Sequence, residues 1–266
     1  MGSVLDGIRV IDFGRYIAGP WCGALLSDFG ADVIRIDKRG GSEDRHVAPI
    51  AEDKTGAMFM QMNRNKRSMT LDPTTPEGRE IQETLVKTAD VVLVNMPERA
   101  RKGLGLDYPT LKSIKPDIIL TTATAFGTTG PMATKVGFDT VAQAMSGAMY
   151  LSGTANSAMR SYYPWVDYGT ATLCALGTMA AIMSRKETGE GQHVQGSLLA
   201  TALTNANATL IEQSLTQVNR VATGNRGQLS APSDSFKTKD GEILSLIHIS
   251  EPTRRTPISY AVFCLK

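Results

Sequence analysis

Residues 9–37 read RVIDFGRYIAGPWCGALLSDFGADVIRID. Arg9–Phe13 is a short apolar run and reads as a strand. Ala18–Gly30 reads as a helix, with Pro20 near its start, where the missing N–H is tolerated, and Gly30 just past its end. Asp32–Asp37 is a second strand built on Val33, Ile34 and Ile36. Strand, helix and strand within about 30 residues form a βαβ unit, the opening of a doubly wound parallel sheet.

The alternation continues outward from that unit. Thr75 and Pro76 start a helix that runs to about Ala89, with Ile81 and Leu85 on one face. Asp90–Val94 is a third strand and Asp117–Thr122 a fourth, with a short helix at Pro109–Ile114 between them. Asp139–Met149 reads as a helix with Val141, Met145 and Met149 at four-residue spacing. A long helix follows Asp167, then a strand at His193–Gln195 and a helix from Leu198 to about Leu215. Strands alternating with helices predict an α/β fold, a Rossmann-like sheet covered on both faces.

The chain has 266 residues, 42% hydrophobic and 20% charged, the balance of a soluble protein with a substantial core. No apolar run approaches a membrane span and no signal segment opens the chain, so a cytoplasmic location is expected. The three cysteines and three histidines show no disulfide, zinc or triad spacing, and neither a metal nor a redox cofactor is indicated.

Open α/β sheets bind ligands beyond the C-terminal ends of their strands. Those ends carry Gly14–Pro20, Asp37–Gly40, Asn95–Pro97 and Ala125–Gly127. A dinucleotide fingerprint is absent: Gly-x-Gly-x-x-Gly does not occur, and Pro20 stands where a third glycine would let helix and strand pack. Lys38 and Arg39 suit either a phosphorylated ligand or a solvated turn.

Asp167 is a lone acid in an apolar stretch, at the mouth of a helix. A carboxylate there gains from the helix dipole and from free N–H groups, so it is expected to stay ionised near neutral pH, as a nucleophile requires. The alternative is a helix cap only.

Several motifs in order resemble family III CoA-transferases of the CaiB/BaiF type. They are Leu5–Phe13 followed by Ala18-Gly19-Pro20, Gly30–Asp37, Asn65–Ser68, Ala142–Gly147, and Asp167 with Thr188–Gln192. The resemblance implies a CoA-binding α/β domain over 1–215 and the start of a second domain over 216–243. It also implies an interlocked homodimer, with acyl-CoA and a carboxylic acid acceptor as partners and CoA as substrate, not as a resident cofactor. It makes Asp167 the nucleophile, passing through a mixed anhydride and an aspartyl-CoA thioester. It aligns Lys38, Leu71, Asp72, Pro73, Thr74, Asn95, Met96, Pro97, Val136, Gly137, Phe138 and Asp139 with CoA contacts. Ile17 stands where formyl-CoA transferases carry glutamine. Pro97 and Gly103 stand where relatives are often basic, with Arg99, Arg101 and Lys102 near enough to substitute. The related 2-methylacyl-CoA racemases need a histidine opposite the aspartate, and Gly137-Phe138-Asp139 offers none; phenylalanine cannot move a proton. A non-catalytic CoA-binding fragment is the third reading. Tyr162, Tyr163 and Trp165 are expected to pack rather than wall an acyl pocket.

Residues 244–266 resemble a translated sequencing adapter and are expected to be non-native, with the authentic chain stopping inside a strand that follows an Asp240-Gly241 turn. The truncated chain is then expected to be inactive. Setting aside the three basic residues and one acid of that tail, the totals of 28 and 26 become 25 of each. A neutral chain gives no electrostatic case for nucleic acid or membrane binding.

Overall fold

The computed structural model describes residues 2–228, 233–237, 239 and 241–245. The described residues form two compact units, one of residues 2–146 with 163–205, the other of 147–162 with those from 206 on.

The first unit holds a six-stranded sheet. Its strands are β1 (Arg9–Asp12), β2 (Asp32–Asp37), β3 (Arg67–Thr70), β4 (Val91–Val94), β5 (Ile119–Thr124) and β6 (His193–Ser197). The spatial order is β3-β2-β1-β4-β5-β6 and every pairing is parallel. This is the doubly wound order, with its topological switch point between β1 and β4. Successive residues of each strand feed opposite faces. Val10, Val33, Val91, Leu93 and Ile119 pack on one side, Ile11, Ile34, Ile36, Val92 and Leu120 on the other.

The first of these faces is covered by α1 (Ala18–Asp28) and by α8 (Trp165–Thr188), which buries Val166, Thr170, Ala171, Cys174, Thr178 and Ile182. By length and composition α8 could cross a membrane, so one apolar run does reach that size; it packs on the sheet through this buried face. Leu173, Leu176 and Met183 on its other side are exposed. The second face lies under α3 (Pro76–Lys87) and α5 (Tyr108–Ile114).

Several expected elements shift for physical reasons. In α3 the buried positions are Gly78, Gln82 and Val86, while Ile81 is exposed. Gln82 is drawn inward because its amide donates to the Leu104 carbonyl. The helix at Asp139 stops at Met145 as α6, and Gly147 turns left-handed before α7 (Ala148–Leu151). Val141 and Met145 of α6 face outward, and Asp139, Ala142 and Gln143 face in. The stretch after Leu198 divides at Ala206 into α9 (Leu198–Asn205) and α10 (Asn207–Thr216). β3 and the short helices α2 (Ala57–Met62) and α4 (Glu98–Gly103) have no counterpart in the sequence reading. In the second unit β7 (Asp234–Lys237) and β8 (Glu242–Ser245) pair antiparallel, the hairpin expected around Asp240-Gly241. Residues 246–266, most of the adapter-like tail, lie outside the described residues.

Candidate active site at the switch point

A cleft of about 390 Å3 opens at the C-terminal strand ends, where the switch point predicts a ligand. Arg15–Ala18 after β1, Asn95–Pro97 after β4 and Ala123–Ala125 at the end of β5 line it, together with Lys135–Phe138, Glu43, Leu198 and Asp167.

The turn after β1 is fixed by groups beneath it. Asp12 and Lys66 are fully buried and paired at 2.7 Å, and the Lys66 ammonium also donates to the Pro20 carbonyl and the Asn63 side chain. Burial pushes the Asp12 carboxyl up, but Lys66 and Arg35 outweigh it and hold it low. Arg35, also buried, grips both oxygens of Asp44 at 2.9 and 3.1 Å and reaches the Gly14 carbonyl. Asp44 in turn accepts the N–H of Tyr16, whose φ of 61° lies in the left-handed region that a tyrosine rarely enters. Gly14 is required by close approach: a Cβ there would stand 2.7 Å from an Asp12 oxygen and 2.9 Å from the Pro20 ring. Across the switch point, Asn95 accepts the N–H of Arg15 at 2.8 Å and donates to its carbonyl at 2.7 Å.

Asp167 occupies the third position of α8, after Pro164 at the cap, and Pro164 makes no side-chain capping bond. The helix start is capped from a distance in sequence. The buried Asp139 carboxylate accepts the N–H of Val166 at 2.8 Å and of Asp167 at 3.1 Å, and its other oxygen accepts from the Gln143 amide. Asp139 thus takes the favourable site at the positive helix end. Asp167 is left with burial, the larger cause, and the nearby Asp139 charge, which together push its pKa up to about 7. The expectation of a fully ionised Asp167 is corrected accordingly: the helix amides that would have held it low are occupied by Asp139.

The remaining expected residues divide. Asn95, Met96, Pro97, Val136, Gly137 and Phe138 line the cleft, and the Phe138 ring packs edge-on against Tyr16 at 6.0 Å. Asp139 lies beneath the helix start and is not on the lining. Lys38 is exposed and paired with Glu43 at 2.8 Å; neither it nor Leu71–Thr74 reaches the cleft wall, Leu71 being core and Asp72 bonded to Thr74. None of Arg99, Arg101 and Lys102 lines the cleft. Arg101 is buried with its Nε unpartnered, and Lys102 pairs with Glu98. Tyr162 and Tyr163 are exposed and off the lining, and Trp165 packs on the core. No histidine lines the cleft among the described residues. The sequence reading missed Arg15, Glu43 and Lys135 on the lining and the capping role of Asp139. Arg15 stood at an expected strand end; the Asp139 role joins segments 28 positions apart and leaves no local signal.

The fold and the cleft define a doubly wound α/β protein that presents one proton-poised carboxyl at its switch point. The chain belongs to CoA-transferase family III, which it matches over residues 5–256. It is 34% identical over 253 residues to a succinyl-CoA:mesaconate CoA-transferase of Haloarcula hispanica, covering 92% of this chain and 64% of that protein. It is 38% identical over 203 residues to a succinate–glutarate CoA-transferase of Agrobacterium fabrum, covering 73% of this chain and 51% of that protein. A solved CaiB/BaiF family protein from Brucella suis superposes with a TM-score of 0.85 at 33% identity, over 91% of this chain and 65% of that one. The chain thus spans between half and two thirds of these proteins' lengths.

Proposed function

We propose that the protein moves CoA from an acyl-CoA donor to a carboxylic acid, with Asp167 as the nucleophile, in the cytoplasm and as part of a homodimer. The observation that carries this reading is the Asp167 carboxyl lining the switch-point cleft, its pKa pushed up to about 7 by burial and by the Asp139 charge. Family membership makes CoA thioesters and carboxylates the substrate classes. The names of the relatives point to dicarboxylic acids: succinate, mesaconate, glutarate and, in a Chloroflexus aurantiacus enzyme, D-citramalate.

The ionised Asp167 attacks the donor thioester carbonyl, forming a mixed anhydride and expelling CoA thiolate. The thiolate attacks the aspartyl carbonyl, giving an aspartyl-CoA thioester and freeing the donor acid. The acceptor carboxylate attacks that thioester, giving a second anhydride and releasing thiolate again. Attack of the thiolate on the acceptor carbonyl yields the new acyl-CoA and restores Asp167. Each step exchanges one acyl bond for another, so the transfer is divided into covalent steps with Asp167 already held against the thioester. Asn95–Pro97 and Val136–Phe138 would line the thioester arm of CoA. Lys38, beyond the end of β2, would meet its nucleotide end, and the loop Asp72–Thr74 after β3 would line CoA outside the cleft.

Proton abstraction at an α-carbon is the weaker reading, because among the described residues the cleft lining carries Phe138 and no histidine. The test is to incubate the full-length protein with succinyl-CoA and hydroxylamine and to map the modified peptide by mass spectrometry. A hydroxamate on Asp167 is expected. Turnover without such an adduct, or α-carbon deuterium exchange without CoA transfer, would overturn the proposal.

A further inference from the structure

Among the described residues, Arg15 is the one arginine on the cleft lining. Its backbone is clamped by the two Asn95 bonds and by the left-handed Tyr16 that follows. Its side chain is anchored on one edge only: Nη1 donates to the Phe13 carbonyl at 3.2 Å and to the Gly14 carbonyl at 2.7 Å. Both hydrogens of Nη1 are thereby used. The other edge, Nε with Nη2, has no partner among the described residues. That edge is the pair of donors with which Arg67 of this chain grips Asp32, at 2.9 and 2.7 Å. Two parallel donors at this spacing match the two oxygens of a carboxylate.

No carboxylate of the described residues lies within ion-pair distance of Arg15, although its charge helps to lower Asp37 and Glu43 from further off. Glu43, the other acid on the lining besides Asp167, is held by Lys38 at 2.8 Å. Asp44 is taken by Arg35 and by the Tyr16 N–H. A permanently charged guanidinium, fixed at its base and unpaired at its tip, therefore shares a cleft with the proposed nucleophile. Lys135 also lines the cleft, but it sits on an exposed loop, and no side-chain hydrogen bond or ion pair among the described residues fixes its position.

Resting on the reading of Asp167 above, we propose that Arg15 determines acyl specificity: its free edge binds the far carboxylate of a dicarboxylic acyl group whose near carbonyl reacts at Asp167. A monocarboxylic acyl group of equal length leaves that edge to water. The structure thus assigns the choice between diacid and monoacid to a residue of the β1 turn.

The experiment compares succinyl-CoA with butyryl-CoA, which have four-carbon chains with and without the second carboxylate. The ratio of their second-order rate constants for loss of thioester is measured in the full-length parent protein and in its Arg15→Met, Arg15→Lys and Lys135→Met variants. The parent should prefer succinyl-CoA. Arg15→Met should lower the ratio about 10- to 100-fold, the worth of a charge-assisted pair, and Arg15→Lys should restore part of it. An unchanged ratio in Arg15→Met, or a collapse confined to Lys135→Met, would overturn the assignment. A second readout needs no chemistry: glutarate should raise the melting temperature of the parent and of Asp167→Asn above any effect of butyrate, and that difference should vanish in Arg15→Met. Glutarate selectivity without an Asp167 adduct would sink the catalytic reading and leave this one standing. An Asp167 adduct without glutarate selectivity would do the reverse.

Discussion

Two groups of largely buried carboxylates, one beneath the β1 turn and one at the start of α8, are treated in opposite ways. Beneath the β1 turn, Asp12, Asp37 and Asp44 each meet a cation: Lys66, Arg45 or Arg35. Burial pushes both Asp12 and Asp37 upward, but Asp12 is held low by Lys66 and Arg35, and Asp37 by the Ser42 hydroxyl first and then by Arg35. At the start of α8, Asp139 and Asp167 face each other with no ion pair to either among the described residues. Here burial and like charge act in the same direction, and Asp167 rises to about 7. The first cluster spends its charges on geometry and leaves nothing to react. The second keeps one acid short of partners, so its charge can change during a reaction.

The largest expected effect breaks the second cluster. Asp167→Asn removes the nucleophile and should lower the rate of CoA exchange by at least about 10^3-fold, measured as steady-state transfer from succinyl-CoA to glutarate. Activity within tenfold of the parent would remove Asp167 from the reaction. Next comes the first cluster. Lys66→Met leaves the Asp12 carboxylate buried without its main partner and should cost about 3–5 kcal/mol of stability in urea unfolding. Asp12→Asn combined with Lys66→Met should recover much of that loss, because the uncompensated charge is then gone.

This contrast was only partly visible in the sequence. The βαβ unit and the parallel sheet it opens follow from strands rich in buried apolar residues, such as Val33, Ile34 and Ile36 and the run Val91–Val94. β3 did not show, because Arg67, Ser68 and Thr70 are exposed on an edge strand and carry no apolar run. Periodicity misplaced the inner faces of α3 and α6, where Gln82, Asp139 and Gln143 are buried by their hydrogen bonds while Ile81, Val141 and Met145 are not. Asp167 was legible as a helix-start acid, yet its charge state was not. That state depends on which carboxylate reaches the α8 amides, and Asp139 is brought there by the fold of the sheet and its connections.

A smaller effect sharpens the comparison. Asp139→Asn keeps an oxygen for the Val166 and Asp167 N–H groups but removes the negative charge beside Asp167. The Asp167 pKa should then fall from about 7, while remaining above the ordinary value because burial, the larger cause, persists. The pH at which acylation by succinyl-CoA reaches half its plateau should move to lower pH in the variant. A profile that does not move would show that the Asp139 charge is not felt at the reacting group.

The last effect is read without substrate. Asp167 titrates at about 7 in the folded chain and near 3.8 when unfolded. Between those values the folded state holds a proton that the unfolded state has lost, so stability falls as pH rises across that window and levels off above it. Asp167→Asn removes this slope. The variant should gain on the parent between pH 4 and pH 8, by on the order of a few kcal/mol if the shift is as large as burial implies. The paired carboxylates predict the opposite sign: Asp12 and Asp37, held low, contribute stability that is present above their unfolded values and is lost only as the solution turns acid. Urea unfolding of the parent and of Asp167→Asn at pH 4, 6 and 8 separates the two, since only the neutral-side slope should disappear in the variant. Parallel stability profiles for the two proteins would mean that Asp167 is already ionised in the folded chain, and the contrast between the two clusters would then fail.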